Sequence, residues 1–107
     1  MQQWAERFYK SRAWESCRDS TIRRDAYLCQ DCLKAGRITP ALEVHHIIPL
    51  TPHNITDPNV TLNPGNLISL CKACHAARHK VRPRRYVILK DGRVQIADPP
   101  PGPENNK

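Results

Sequence analysis

The chain has few aromatic side chains and no long apolar run. No stretch approaches the roughly 18 apolar residues that a membrane span needs. Residues 1–10 carry Gln2, Glu6 and Arg7, whereas a secretory signal would have an apolar core there. Only 39% of the 107 residues are hydrophobic and 6% aromatic, so a domain of this size needs a cross-link besides its core. We expect one domain, residues 1–97, in the cytoplasm and with no membrane partner.

Basic residues are absent from the middle of the chain. None lies between Ile38 and Cys71, and two flanking blocks carry almost all of the cations. The formal charge is +7 and the pI about 9.5. A basic domain of this size most often binds nucleic acid, although a basic surface also serves solubility. The charge therefore predicts a polyanionic partner without proving one.

Several elements can be placed from local patterns. Ser11 is a good cap for a helix from about Arg12 to Arg24, with Trp14, Cys17 and Thr21 on one face and its arginines pointing largely away. Trp4 to Tyr9 is too short to predict more than a helical turn. The remaining assignments are a strand within 42–50, a long loop over 51–65, a short strand at 67–70, a helix over 72–81, a hairpin over 86–96 and a disordered Pro-rich tail, 98–107.

The cysteines form two matched pairs, Cys29-x-x-Cys32 and Cys71-x-x-Cys74. A two-residue spacer lets both sulfurs of a pair face one ion, and four thiolates complete a tetrahedral zinc site. An odd count of five cysteines fits a set of disulfides poorly. Buried free thiols or a redox pair are the alternatives. We predict a closed, structural Zn²⁺ site, with Cys17 left over as a buried, inert thiol.

Four of the five histidines accompany these cysteines in sequence. His75 and His79 are four apart and share one helical face, so both imidazoles can reach one ion. His45 and His46 are adjacent, and neighbours in a strand point to opposite faces. Both serve one site only if the strand ends or bulges there, or if a substrate phosphate lies between them. Each histidine alone is also consistent with a surface or hydrogen-bonded core residue, and His53 is interpreted as a surface residue.

These motifs together resemble the HNH endonuclease family. The resemblance covers about Tyr27 to His79 and rests on Cys29-x-x-Cys32, Glu43-Val44-His45-His46-Ile47-Ile48-Pro49-Leu50, Asn66-Leu67-Ile68-Ser69-Leu70-Cys71-x-x-Cys74-His75, and His79. It implies a small α+β fold: a ββα-metal (His-Me finger) motif braced by the four-cysteine zinc site, with an N-terminal helix and a C-terminal β-hairpin. It also implies one catalytic divalent cation, Mg²⁺, Mn²⁺, Ni²⁺ or Zn²⁺.

The resemblance assigns a role to each site residue. His46 corresponds to the general base, and Asn66 to the asparagine that orders the base and its loop. His75 corresponds to the final catalytic histidine and, with His45 and His79, to the ligands of the divalent cation. Many members carry aspartate where this chain has His45, and imidazole favours transition metals over magnesium. On spacing alone, Asn66 is equally consistent with a polar turn residue.

The expected activity is hydrolysis of DNA phosphodiester bonds. One active site cuts one strand, so nicking is expected unless two copies act together, and the resemblance implies 5′-phosphate and 3′-hydroxyl products. Contacts to backbone phosphates are predicted for a basic set that is equally consistent with a solvated face: Arg78, Lys80, Arg82, Arg84 and Arg85.

Two other functions remain open from the sequence. One is a zinc-stabilised DNA-binding module that cuts nothing, although binding needs cations rather than this density of imidazoles. The other is an auxiliary subunit of a packaging complex, because the compact size and basic N-terminal helix resemble small bacteriophage members associated with genome packaging. Terminase or other packaging proteins would then be partners in the host cytoplasm.

Overall fold

The structure, a computed structural model, describes residues 2–80 and 86–96. Its elements in chain order are α1 (Gln3–Tyr9), α2 (Arg12–Arg24), α3 (Gln30–Lys34), β1 (Glu43–His46), α4 (Pro58–Thr61), a 3₁₀ turn (Pro64–Asn66), β2 (Leu67–Leu70), α5 (Lys72–His79), β3 (Tyr86–Ile88) and β4 (Val94–Ile96). The predicted tail 98–107 and the end of the predicted 72–81 helix lie outside the described residues. No helix in the described ranges is long and apolar enough to cross a membrane.

The centre of the fold is the antiparallel pair β1–β2. Its register runs from Glu43 opposite Leu70 to His46 opposite Leu67, and α5 follows β2 after a single residue, Cys71. Helices α2 and α5 both contact the two strands. This is the predicted ββα unit in a small α+β fold, and the separate β3–β4 pair is the predicted C-terminal hairpin.

Helix α2 forms where its sequence predicts. The Ser11 hydroxyl oxygen accepts a hydrogen bond from the backbone N–H of Trp14 at 3.1 Å, which satisfies one of the free donors of the first turn. Trp14 and Thr21 are buried against the sheet side, whereas Cys17 is only partly buried. The expected turn near Trp4 is a full two-turn helix, α1.

The end of α2 is tied to β2 by two charged side chains. Arg24 was expected to point away from the apolar face, but its guanidinium donates to the backbone oxygens of Pro64 and Leu67, each at 2.8 Å. The Asp25 carboxylate accepts from Arg24 and from the backbone N–H of Ser69 at 3.0 Å. A long arginine stem can therefore lie along the protein while its charged head binds carbonyls.

The long loop over 51–65 contains more regular structure than its sequence predicts. Asp57 accepts from the N–H of Asn59 and caps α4, and Asn63 accepts from the N–H of Gly65 and caps the 3₁₀ turn. In both cases the following proline occupies the first helical position, where no N–H is needed. The prolines that were interpreted as loop residues therefore begin two short helical turns.

We predict that Asp25→Asn destabilises the protein at pH 7 by about 1–3 kcal/mol. Burial raises the pKa of Asp25, but hydrogen bonds from Arg24 and Ser69 outweigh burial and the net pKa is lowered. The carboxylate's contribution is therefore fully present at neutral pH and is lost only as pH falls through the lowered pKa. Urea unfolding measures it.

Asp19→Asn is the matched control on the same helix, because the Asp19 side chain is 64% exposed and that of Asp25 only 8%. Equal losses of stability in the two variants would contradict the prediction.

Candidate active site

The four paired cysteines converge at one point of the fold. Their ligand atoms all lie within 4.8 Å of one another, and the sulfur of Cys32 is 3.8 Å from that of Cys71 and 3.7 Å from that of Cys74. Four sulfurs at about 2.3 Å from a central zinc would be about 3.8 Å apart. The donor set and its spacing therefore fit a tetrahedral metal ion.

The local structure favours a thiolate at Cys32, whereas hydrogen bonds with the other three sulfurs raise the pKa of Cys74 to about 12. Cys29 and Cys71 occupy the capping positions of α3 and α5, and the Cys29 sulfur accepts from the backbone N–H of Cys32 at 3.4 Å. Hydrogen bonds from Thr39 and from Arg37 lower the pKa of Cys32 to about 6, so this sulfur is ionised at neutral pH as metal binding requires.

Cys17 lies apart from this cluster. Its thiol donates to the backbone oxygen of Leu62 at 3.5 Å, and burial raises its pKa. A protonated, hydrogen-bonded thiol is unreactive. Cys17 is partly rather than fully buried, and its chemistry is otherwise that of the inert thiol predicted from the sequence.

A second cluster is built from imidazoles. His45 on β1 and His75 and His79 on α5 place their ligand atoms within 4.8 Å of one another, and the Nε2 atoms of His75 and His79 are 3.1 Å apart. Burial and then the neighbouring His75 and Arg78 lower the pKa of His45 to about 4, which keeps that ring neutral. Three imidazoles on one side fit a divalent cation with open positions.

Glu43 belongs to this cluster and was given no role from the sequence. Its carboxylate oxygen contacts Nδ1 of His75. A carboxylate can only accept, so Nδ1 carries the proton and Nε2 is the ring nitrogen available to a metal ion. The sequence spacing of Glu43 and His45 already indicates that Glu43 lies on the side of the imidazole cluster. Glu43 and His45 are two apart on a strand and therefore share a face.

His46 faces the other side of the strand. Its ring stacks on Trp14 with centroids 4.9 Å apart, and its Nε2 lies 2.9 Å from the backbone oxygen of Thr61. Because a carbonyl only accepts, Nε2 carries the proton and the unprotonated nitrogen of the neutral ring is Nδ1. Burial lowers the pKa of His46, partly offset by the Thr61 hydrogen bond. The neighbours thus diverge as a regular strand requires.

Asn66 is fully buried and joins two backbone segments near His46. Its amide oxygen accepts from the N–H of Ile48 at 2.6 Å, and its amide nitrogen donates to the oxygens of Val60 at 2.8 Å and Ile48 at 3.3 Å. Among the described residues it makes no hydrogen bond to the His46 ring. Its contact with Val60 instead fixes the turn that presents the Thr61 carbonyl.

The predicted phosphate-binding residues are only partly within the described chain. Arg78 donates from Nε and Nη2 to the Asp31 carboxylate, both at 2.8 Å, so α5 is tied to α3 beside the cysteine cluster. Lys80, at the end of α5, is exposed. His53 is exposed, as predicted. Arg82, Arg84 and Arg85 lie outside the described residues.

The geometry of the site agrees with the known proteins to which this chain is similar. A family model described as HNH endonuclease matches residues 29–81. The "Probable HNH endonuclease" of Lactococcus phage SK1 is 41% identical over 68 residues, which are 64% of this chain and 70% of that protein. The crystal structure, with manganese ion, of the HNH endonuclease of the deep-sea thermophilic bacteriophage GVE2 is 44% identical with a TM-score of 0.63, covering 72% of this chain and 79% of that one. The chain therefore belongs to the HNH endonuclease family and is a nuclease that hydrolyses phosphodiester bonds.

Proposed function

We propose that this protein is a metal-dependent DNA endonuclease that nicks one strand and leaves 5′-phosphate and 3′-hydroxyl ends. The proposal rests on the way two adjacent histidines of β1 point to opposite faces. His45 faces two further imidazoles on α5, and His46 is held apart from them as a neutral ring. One strand thereby supplies both a metal ligand and a base.

His46 is the proposed general base. Its Nε2–H is committed to the Thr61 carbonyl, so Nδ1 is the atom that takes a proton from the attacking water. Asn66 acts on this ring indirectly, because it holds the backbone of Val60, next to Thr61. We propose that the scissile phosphate lies at the end of β1, between the faces on which the two histidines point.

Two different metal sites support this chemistry. The four thiolates would hold a permanent structural Zn²⁺, and His45, His75 and His79 would hold one catalytic divalent cation: Mn²⁺, Mg²⁺, Ni²⁺ or Zn²⁺. The manganese ion in the related phage structure supports Mn²⁺. When bound, this cation supplies Lewis acidity that stabilises negative charge on the phosphate and the leaving 3′ oxygen. Glu43 orients His75 for this role.

Basic side chains at the end of α5 and directly after it in sequence would bind the DNA backbone. We propose phosphate contacts for Lys80 and for Arg82, Arg84 and Arg85, with Arg78 contributing a guanidinium already oriented by Asp31. Such contacts give affinity with little sequence preference and weaken with salt.

We further propose a role in genome packaging, with terminase or other packaging proteins as partners. The phage origin of both relatives supports it. Co-purification of a terminase subunit with the tagged protein from infected cells would test it, and recovery of the protein without any packaging subunit would count against it.

We predict that His46→Ala abolishes plasmid nicking while the fold survives. Loss of a general base lowers the rate by about 10²–10⁴-fold. The assay compares wild type and variant across Mg²⁺, Mn²⁺, Ni²⁺ and Zn²⁺, and circular dichroism and bound zinc establish folding. Cutting retained in a folded variant would remove His46 from the base role, and a wild type that shifts DNA without nicking it would favour a non-catalytic binding module.

We predict that His79→Ala weakens binding of the catalytic cation by at least about tenfold. Removing a residue that only orients a metal ligand typically lowers metal affinity by about tenfold or more, and loss of a ligand itself should cost at least as much. Isothermal titration with Mn²⁺ measures the affinity. His53→Ala is the matched control, since both histidines are exposed and His53 lies outside the imidazole cluster. Equal affinities in the two variants would show that His79 is not a ligand.

We predict that Cys32→Ser loses most of its bound zinc and much of its thermal stability, because a structural zinc site contributes directly to folding. Elemental analysis and thermal unfolding measure both quantities. Cys17→Ser, which changes the same atom outside the cluster, should keep its zinc. A Cys32→Ser protein with an unchanged zinc content would contradict the assignment of the four sulfurs.

A further inference from the structure

We propose that Trp14 is a positioning residue for the catalytic base, which means that the N-terminal helices complete the active site. The inference rests on the proposed role of His46 as the base. Trp14 lies on α2, outside residues 29–81 that the family model matches. Its sequence pattern predicted only a core residue on an amphipathic face.

The contact between the two rings is close and enclosed. The indole and imidazole planes are inclined by 25° with centroids 4.9 Å apart, which is a stacked arrangement. Trp14 and His46 are each only 6% exposed. Phe8 and Tyr9 contact the same imidazole with centroids 6.1 and 6.3 Å away, so three aromatic rings from α1 and α2 surround it.

The stack restrains a motion that the hydrogen bond leaves free. The bond from Nε2 to the Thr61 carbonyl fixes one ring atom, but the ring plane can still tilt about that atom. A flat indole surface at stacking distance restricts this tilt and therefore fixes the direction of the Nδ1 lone pair. A base must keep this direction to meet a water within hydrogen-bond reach, and small misplacements are costly in rate.

Trp14 is itself held by local structure. Its backbone N–H donates to the Ser11 hydroxyl oxygen, and that hydroxyl donates in turn to the backbone oxygen of Phe8 at 2.7 Å. These bonds fix the corner between α1 and α2, and with it the backbone position from which the indole projects. A simple core residue would need the burial but not this orientation.

The test compares Trp14→Leu, Trp14→Phe and the control Trp4→Leu. Trp4 is half-buried on α1 and makes no aromatic contact with His46 in the described chain, so it reports the cost of losing an N-terminal tryptophan. Plasmid nicking is measured below the unfolding temperature of every variant. We expect kcat of Trp14→Leu to fall by about ten- to a hundredfold, with KM for DNA within about twofold of wild type.

Trp14→Phe should recover most of kcat, because a smaller aromatic ring still offers a flat surface, and Trp4→Leu should leave kcat within about twofold. Equal losses in Trp14→Leu and Trp4→Leu, no rescue by Trp14→Phe, or a change confined to KM would each overturn the proposal. A role in stability alone would leave kcat unchanged at a temperature where every variant is folded.

A second measurement separates this proposal from the role of His46 itself. Long-range ¹H–¹⁵N spectra of the zinc-bound protein report which ring nitrogen of His46 carries the proton. We expect the Nε2–H form in all three proteins, because the Thr61 hydrogen bond sets it, with sharp His46 ring signals in wild type and Trp14→Phe and signals broadened by ring tilt in Trp14→Leu. An unchanged His46 signal in Trp14→Leu would overturn the positioning role. Nicking by His46→Ala would instead contradict the assignment of His46 as the base, whatever this spectrum shows.

Discussion

Three of the four paired cysteines are buried beside β2, where a larger domain would place apolar residues, and Cys74 packs partly buried against them. Cys29, Cys32, Cys71 and Leu70 form this buried cluster, and gathered thiolates need a cation to offset their charge. A metal ion bound by these sulfurs, as we propose, would cross-link them and hold the rest of the site, because Cys71 separates β2 from α5 by one residue. Fixing the sulfurs fixes the start of α5 and hence the direction in which His75 and His79 project.

Because side chains alternate along β1, the proposed metal ligand and the proposed base lie on opposite faces of the strand. His45 is directed at α5 and its imidazoles, whereas His46 is directed at the α1–α2 corner and the Thr61 carbonyl. A base that also ligated the metal would lose the lone pair it needs, so the divergence of neighbours is functionally useful. The same alternation places Glu43 beside His75 and keeps the Nε2 atom of that ring available.

His46, the proposed base, is supported by parts of the chain whose sequence shows no functional motif. The loop over 51–65 was expected to be irregular, yet Asp57-Pro58 begins the turn that carries Thr61, and Asn66 anchors it through Val60. A cap followed by proline at the first helical position indicates a helical turn, but proline and asparagine are also typical of loops, so the composition of this segment predicts a loop.

The sequence alone determined what depends on local spacing: the Ser11-capped helix, the C-terminal hairpin, the two cysteine pairs and the shared face of His75 and His79. These follow from helix and strand geometry over a few residues. Tertiary structure alone decided that Trp14 stacks on His46, that Arg24 reaches the backbone of β2, and that Asn66 acts through the backbone. Those contacts join residues far apart in the chain, and their distances depend on how whole elements pack, which no local spacing specifies.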